Sequence, residues 1–180
     1  MRISTKAQYA VRAMVSLSLH GGERPLALRD IAGREQISLA YLEQLFVKLR
    51  RCKIVTSVRG PGGGYVLARP ADQIRVDEII DSVEESLVPV SCMDANGRCQ
   101  CNDVCVSHGV WQGLGERVRH FLASITLADL TREARRTVRS EEGGVQAVAG
   151  CWKNLITKAR RAPSKHRGRA AAQEKPGKPG

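Results

Sequence analysis

Aromatic residues are scarce in this 180-residue chain: two Trp, three Tyr and two Phe, 4% of the sequence. That scarcity disfavours a protein that holds single-stranded nucleic acid by stacking bases on aromatic platforms. Long hydrophobic runs are missing too. The nearest imitation of a membrane span, residues 13–19, contains two serines and falls far short of the roughly 18 apolar residues required. Arg12 before that run and His20-Gly21-Gly22-Glu23 after it do not fit a secretory signal, so the expectation is a soluble, cytoplasmic protein with no membrane partner. No nucleophile stands assembled with a base, and the chain is expected not to be an enzyme. The 42% hydrophobic content still allows a modest core, and the length suggests one domain, or one domain with an appendage.

Positive charge, by contrast, is plentiful. Lys and Arg outnumber Asp and Glu by 29 to 18, a formal charge of +11, which usually marks a polyanionic partner, nucleic acid before membrane surface. The charge is unevenly spread. Residues 1–70 carry 12 basic against 4 acidic side chains, residues 71–150 carry 8 against 13, and residues 151–180 carry 9 against 1. This pattern predicts a basic head that meets the polyanion, an acidic middle with another task, and a basic tail. From Arg160 onward no apolar residue exceeds alanine, so the tail is expected to be disordered, either a nonspecific phosphate-binding arm or a merely solvated terminus.

The head reads as a sequence of helices. Ser4 or Thr5 can cap a first helix in which Ala10, Met14 and Leu17, with Val11 and Ala13 beside them, recur at helical spacing as far as His20-Gly21-Gly22. After a turn around Pro25, Leu28–Glu35 reads as a short helix with Leu28, Ile31 and Ala32 inward. Gln36-Ile37 connects it to a second helix, Leu39 to about Arg51, capped by Ser38 and striped with Leu39, Leu42, Leu45, Phe46 and Leu49. Two helices joined so tightly form a helix-turn-helix signature. Residues 54–58 and 65–68 then read as paired strands, joined by Arg59-Gly60-Pro61-Gly62-Gly63-Gly64. A glycine-rich loop that cradles a nucleotide phosphate needs a helix after it, and here a strand follows. The expected fold is therefore mainly α with a small β-wing, a winged helix-turn-helix head over residues 1–70.

DNA contact then assigns roles. The first turns of the second helix would enter the major groove, where Ser38, Ala40, Tyr41, Glu43 and Gln44 reach base edges or phosphates. Gln44 suits adenine. Glu43 is repelled by phosphates unless it accepts from cytosine, so it selects against sites lacking one. Arg59, with Gly60 beside it, would enter a minor groove, leaving Lys48, Arg50, Arg51 and Lys53 for phosphates. For any single one of these cations, a solvated helix face is an equally good reading.

The middle opens with a further helix, Val76–Val83, with Val76, Ile79, Ile80 and Val83 on one stripe and its acids facing away from DNA. Four of the six cysteines, Cys92, Cys99, Cys101 and Cys105, then fall within fourteen residues. In a chain that is not exported, clustered cysteines point to metal or redox chemistry rather than structural disulfides. Six residues separate Cys92 from Cys99, five separate Cys99 from Cys105, and two separate Cys105 from His108. Three thiolates and an imidazole suit zinc or an iron–sulfur cluster. Zinc modules usually bring cysteines in pairs about two to four residues apart, and here the close pairs all share Cys101, either a decoy or a substitute for Cys99. Spacing alone leaves zinc and iron–sulfur open, beside a reactive-thiol switch and inert cysteines.

Beyond His108 an apolar pattern runs through Trp111, Leu114, Val118, Phe121, Leu122 and Ile125. Such a helix needs a partner surface, and self-association as a two-fold homodimer would set two recognition helices about one DNA turn apart. Packing within its own subunit is the alternative. Thr126-Leu127-Ala128-Asp129 can cap a further short helix. Residues 71–138 are accordingly expected to form a sensor loop and dimerisation helices, with the basic tail over residues 139–180.

Ser38-Leu39-Ala40-Tyr41-Leu42-Glu43-Gln44-Leu45-Phe46, then Ser57-Val58-Arg59-Gly60-Pro61-Gly62-Gly63-Gly64-Tyr65, then the three-Cys-plus-His loop together resemble the IscR family of iron–sulfur cluster regulators, over about residues 1–135. The resemblance implies a homodimeric winged-helix transcription factor on double-stranded DNA, holding a two-iron, two-sulfur (2Fe–2S) cluster through Cys92, Cys99, Cys105 and His108. It implies that the loaded form represses the genes for cluster assembly, that the cluster-free form still binds another class of site, and that cluster-donating assembly proteins are partners. The counterpart of Glu43 is held to exclude the cluster-free form from the first class. A sibling repressor that senses nitric oxide through a four-iron cluster shares this head, whereas an iron–sulfur electron-transfer protein would gain nothing from the wing. Two departures stand out. The first spacer between cysteines is one residue longer than usual, with Cys101 as an added thiol, and Ala40 replaces a usual serine that could touch DNA.

Deleting residues 151–180 is expected to flatten the salt dependence of DNA affinity while leaving sequence preference intact, measured by anisotropy titrations at several salt concentrations. Lost preference would mean that the reading head lies elsewhere.

Overall fold

A computed structural model describes residues 4–22, 24–83 and 106–141, with side chains as far as residue 137. Helix α1 (Thr5–His20) begins where the Ser4 hydroxyl accepts from the Ala7 amide. Ala7, Ala10 and Ala13 on it are wholly buried, and their small side chains let neighbouring elements approach closely. Helix α2 (Leu28–Glu35), α3 (Leu39–Arg51), α4 (Val76–Val83) and α6 (Leu127–Glu141) all pack on α1, as does strand β2 (Gly64–Leu67).

One apolar core unites these elements. Met14 and Leu17 of α1 meet Ile31 of α2, Leu42, Phe46 and Leu49 of α3, and Ile54 and Val55 of the strand that follows. The same core takes Ile74, Ile79, Val83 and Leu127, so it draws on both sides of residue 70. A smaller cluster gathers Ala7, Val76, Ile80 and Ile125, with Phe121, Leu122 and Leu130 against it.

The helix-turn-helix forms as its sequence dictates. Gln36 turns the chain in the left-handed region at φ 54°, and the Ser38 hydroxyl accepts from the Tyr41 amide to start α3. Lys53 takes a second left-handed conformation, at φ 55°, and redirects the chain into the wing. Strand β1 (Val55–Val58) pairs antiparallel with β2, Val55 opposite Leu67 and Val58 opposite Gly64. A third segment joins them. Leu26 and Tyr65 exchange both backbone hydrogen bonds, at 3.0 and 2.9 Å, so the connection after α1 is stitched to the root of the wing where the sequence indicated only a turn around Pro25.

Helix α5 (His108–Ala123) buries none of its residues. Its end is braced to the start of α4, the Val76 amide donating to Ile125 O at 3.0 Å and the Leu127 amide to Ile74 O at 2.8 Å. Thr126 and Asp129 cap α6 reciprocally: the Thr126 amide donates to the Asp129 carboxylate, and the Asp129 amide to the Thr126 hydroxyl. With that start secured, the helix expected to be short runs 15 residues, on to Glu141. The acids of α4 are not simply turned to solvent. Asp77 is buried and pairs with Arg75 at 3.2 Å, while Glu78 pairs with both Arg69 and Arg75.

A Cβ on Gly64 would lie 2.4 Å from Leu26 O and 2.5 Å from Leu26 C, both backbone atoms that cannot move without breaking the bridge. Gly64→Ala is expected to cost about 1–3 kcal/mol in urea unfolding. Gly33→Ala, in α2 with open space around it, is expected to gain up to about 1 kcal/mol.

Candidate nucleic-acid interface and metal ligand

Helix α3 buries Leu42, Leu45, Phe46 and Leu49 and so turns its opposite face outward. Ser38, Ala40, Glu43 and Gln44 are exposed there. Ala40, Gln44 and Lys48 fall four residues apart, a single row along the helix. Tyr41 is only half-buried because its ring stands edge-on to Tyr9 of α1, centroids 5.7 Å apart. The Arg12 guanidinium lies 5.7 Å from the Tyr9 centroid and donates both to the Glu35 carboxylate, at 3.1 Å, and to Glu35 O, at 2.7 Å. The turn leading to α3 is thus held from behind by α1.

The wing is fixed against the same helix. Phe46 and Tyr65 meet at 4.8 Å between centroids, and Arg50 Nη1 approaches Ser57 Oγ at 3.5 Å. At the tip, Gly60 and Gly62 take φ values of 109° and 74°, which side chains rarely adopt, and the Gly63 amide donates back to Gly60 O at 2.9 Å. Arg59 and Gly60 are exposed at this tip. Recognition helix and wing therefore form one rigid basic surface, with Arg51 and Lys53 also exposed between them.

Lys48, expected at a phosphate, is exposed and also has a partner within the protein. Its Nζ donates to Val83 O of α4 at 3.2 Å. No local pattern signals this contact, because 35 positions separate the two residues. The Arg69–Glu78 ion pair, which joins the end of the wing to the first turn of α4, was equally invisible as spacing.

Of the four expected metal ligands, Cys92, Cys99 and Cys105 lie outside the described residues, as does Cys101. His108 is the first residue of α5, half-buried, and its Nδ1 is buried without a hydrogen-bond partner among the described residues. A buried ring nitrogen left unpaired is costly unless something else engages it, and imidazole nitrogen is a common metal ligand. This residue fits the donor set of three thiolates and one imidazole. The remaining described cysteine, Cys52, is exposed at the end of α3.

A cleft of about 900 Å³ opens elsewhere, between the end of α1 and α6, lined in part by Ser18, His20, Thr131, Arg132 and Arg135. Burial, then the nearby Arg34, hold His20 below the usual histidine range. None of the residues expected to meet DNA lines this cleft.

The profile of the Rrf2 family, described as an iron-dependent transcriptional regulator, matches residues 3–133. The HTH-type transcriptional regulator IscR of Xenorhabdus nematophila is 48% identical over 132 residues, 73% of this chain and 80% of that one. Among solved structures, T. potens IscR superposes with a TM-score of 0.62 at 37% identity, covering 82% of this chain and 94% of that one. CymR (YrzC), the global cysteine regulator of B. subtilis, superposes with a TM-score of 0.64 at 34% identity, covering 73% and 97%. Among the described residues no helix is long and apolar enough to cross a membrane. A basic winged helix-turn-helix, a matching family profile over most of the chain and relatives that are themselves regulators leave one conclusion: the chain belongs to the Rrf2 family and is a DNA-binding transcriptional regulator, not an enzyme.

Proposed function

We propose that this regulator senses iron–sulfur supply through a 2Fe–2S cluster held by Cys92, Cys99, Cys105 and His108. The loaded homodimer represses the genes for cluster assembly, and the cluster-free form binds a second class of duplex site. The observation that carries this reading is the Nδ1 of His108, buried at the head of α5 with no partner among the described residues and separated from Cys105 by only two residues. The IscR resemblance supports the same ligand set.

When bound, such a cluster supplies a redox-active iron centre that exchanges with cellular supply. Histidine is neutral and is displaced more readily than thiolate, so a site with one imidazole is more labile than one with four cysteines, and lability suits a sensor. Helix α4 precedes the thiols in the sequence and α5 follows them, so ligation reaches the rest of the protein through those two helices. Cluster-donating assembly proteins are the partners this requires, and the cytoplasm is where they meet it.

On the DNA side, Ser38, Ala40, Tyr41, Glu43 and Gln44 face the major groove, Arg50 and neighbouring cations meet phosphates, and Arg59 with Gly60 enters the minor groove. These belong to a reading head over residues 1–70, with sensing and dimerisation over 71–138 and the basic tail beyond. Helix α5 supplies the dimer contact. Val110 is 66% and Leu114 39% exposed on a helix that meets the smaller cluster only near its end, through Phe121 and Leu122, and a second copy would cover this face. A second reading takes support from the likeness to CymR: the thiols themselves would respond to cysteine or redox state, without a cluster.

Anaerobically purified full-length protein is expected to contain about two iron and two sulfide per protomer. Replacing Cys92, Cys99 and Cys105 by alanine should abolish both, and His108→Ala should shorten retention. Four irons by Mössbauer spectroscopy would favour the nitric-oxide sensor, and colourless protein rich in zinc would end the cluster reading. Glu43→Ala is expected to raise the affinity of the cluster-free form for sites of the loaded class by roughly 5–150-fold, about 1–3 kcal/mol. Unchanged affinity in anisotropy titrations would remove Glu43 as the discriminator.

A further inference from the structure

One exposed cation of α3 is tied to another helix. Lys48 closes the row formed with Ala40 and Gln44, yet its ammonium donates to Val83 O at 3.2 Å instead of standing free. A backbone carbonyl oxygen carries two lone pairs, so Val83 O can take the Lys48 donor in addition to any helical partner. Val83 is itself buried in the shared core beside Leu45 and Leu49 of α3, so the acceptor is firmly placed. At the opposite end of α4, Glu78 is held by Arg69, which follows β2, and by Arg75. Helix α4 is therefore clamped to the reading head twice, once to the wing and once to the recognition helix.

We propose that Lys48 is a positioning residue that couples the cysteine-bearing segment after α4 to the DNA-reading row of α3, through its bond to the Val83 carbonyl. Val83 is the last described residue before that segment in the sequence, and Gln44 lies one turn from Lys48. A displacement of α4 shifts the Lys48 anchor and with it the aim of Gln44 and the neighbouring Glu43. This physical path needs no contact between the sensor and DNA. The coupling rests on the sensing role proposed above, whereas the Lys48–Val83 link does not.

The test uses the full-length protein and its Lys48→Met and Lys48→Arg variants, each loaded and cluster-free. Methionine keeps an apolar stem and removes the donor; arginine keeps a donor. Wild type is expected to show a difference in affinity between the two states of roughly 5–150-fold for a discriminating duplex, the ordinary span of coupling between sites. Lys48→Met should collapse that ratio towards unity with the salt slope unchanged, and Lys48→Arg should restore much of it. Hydrogen exchange at the end of α4 and along the middle of α3 should quicken in Lys48→Met alone. If Lys48→Met instead weakens both states equally and lowers the salt slope by about 0.9 per lost phosphate contact, Lys48 is a phosphate ligand and the proposal is overturned. Unchanged exchange overturns it as well. If wild type binds equally in both states, it is the sensing reading that fails, and with it the coupling, while exchange and salt slope still decide whether Lys48 ties α3 to α4.

Discussion

Everything here that could read DNA is positioned by one apolar core built against the small-residue face of α1. Ala10 and Ala13 leave room for α3 and α4 to pack against the same helix, and Met14 and Leu17 fill the space between them. Because Ile79, Val83 and Leu127 enter that core together with Phe46 and Leu49, the recognition helix cannot be displaced without disturbing α4. Interiors packed at this density transmit displacement instead of absorbing it. A sensor attached beyond α4 thus needs no long relay to reach the DNA surface.

Charge is used in two distinct ways. Arg59, Arg51 and Lys53 stand exposed on the wing and on the link from α3, where they add to the field that attracts a polyanion. Arg12, Lys48, Arg69 and Arg75 instead fasten elements together: α1 to the end of α2, α3 to α4, and the wing to α4. Exposed ion pairs contribute little to stability, typically under about 1 kcal/mol each, so their value here is geometric. They fix angles between elements that the apolar core alone would leave softer.

Local rules carried most of the fold from sequence to structure. Ser4, Ser38 and Thr126 cap helices as their neighbours predict, since capping involves residues within one turn. The left-handed glycines of the wing follow from their pattern for the same reason. The Leu26–Tyr65 bridge and the Lys48–Val83 contact were not legible, because each joins residues far apart whose side chains carry no pairing signal. The sequence places Lys48 among the phosphate contacts, and its place on a recognition helix carries no sign of its bond to Val83 O. For the candidate metal site, spacing picked out His108, and the orphaned Nδ1 agrees with a ligand role, while the thiols lie outside the described residues.

The central claim, that iron–sulfur loading changes what the reading head binds, is tested most directly by one titration. Protein purified anaerobically, and the same preparation after removal of its iron by chelation, are titrated against a panel of duplexes at fixed salt. The account predicts that at least one class of duplex separates the two forms while another binds both. Equal affinities of loaded and stripped protein for every duplex would contradict it.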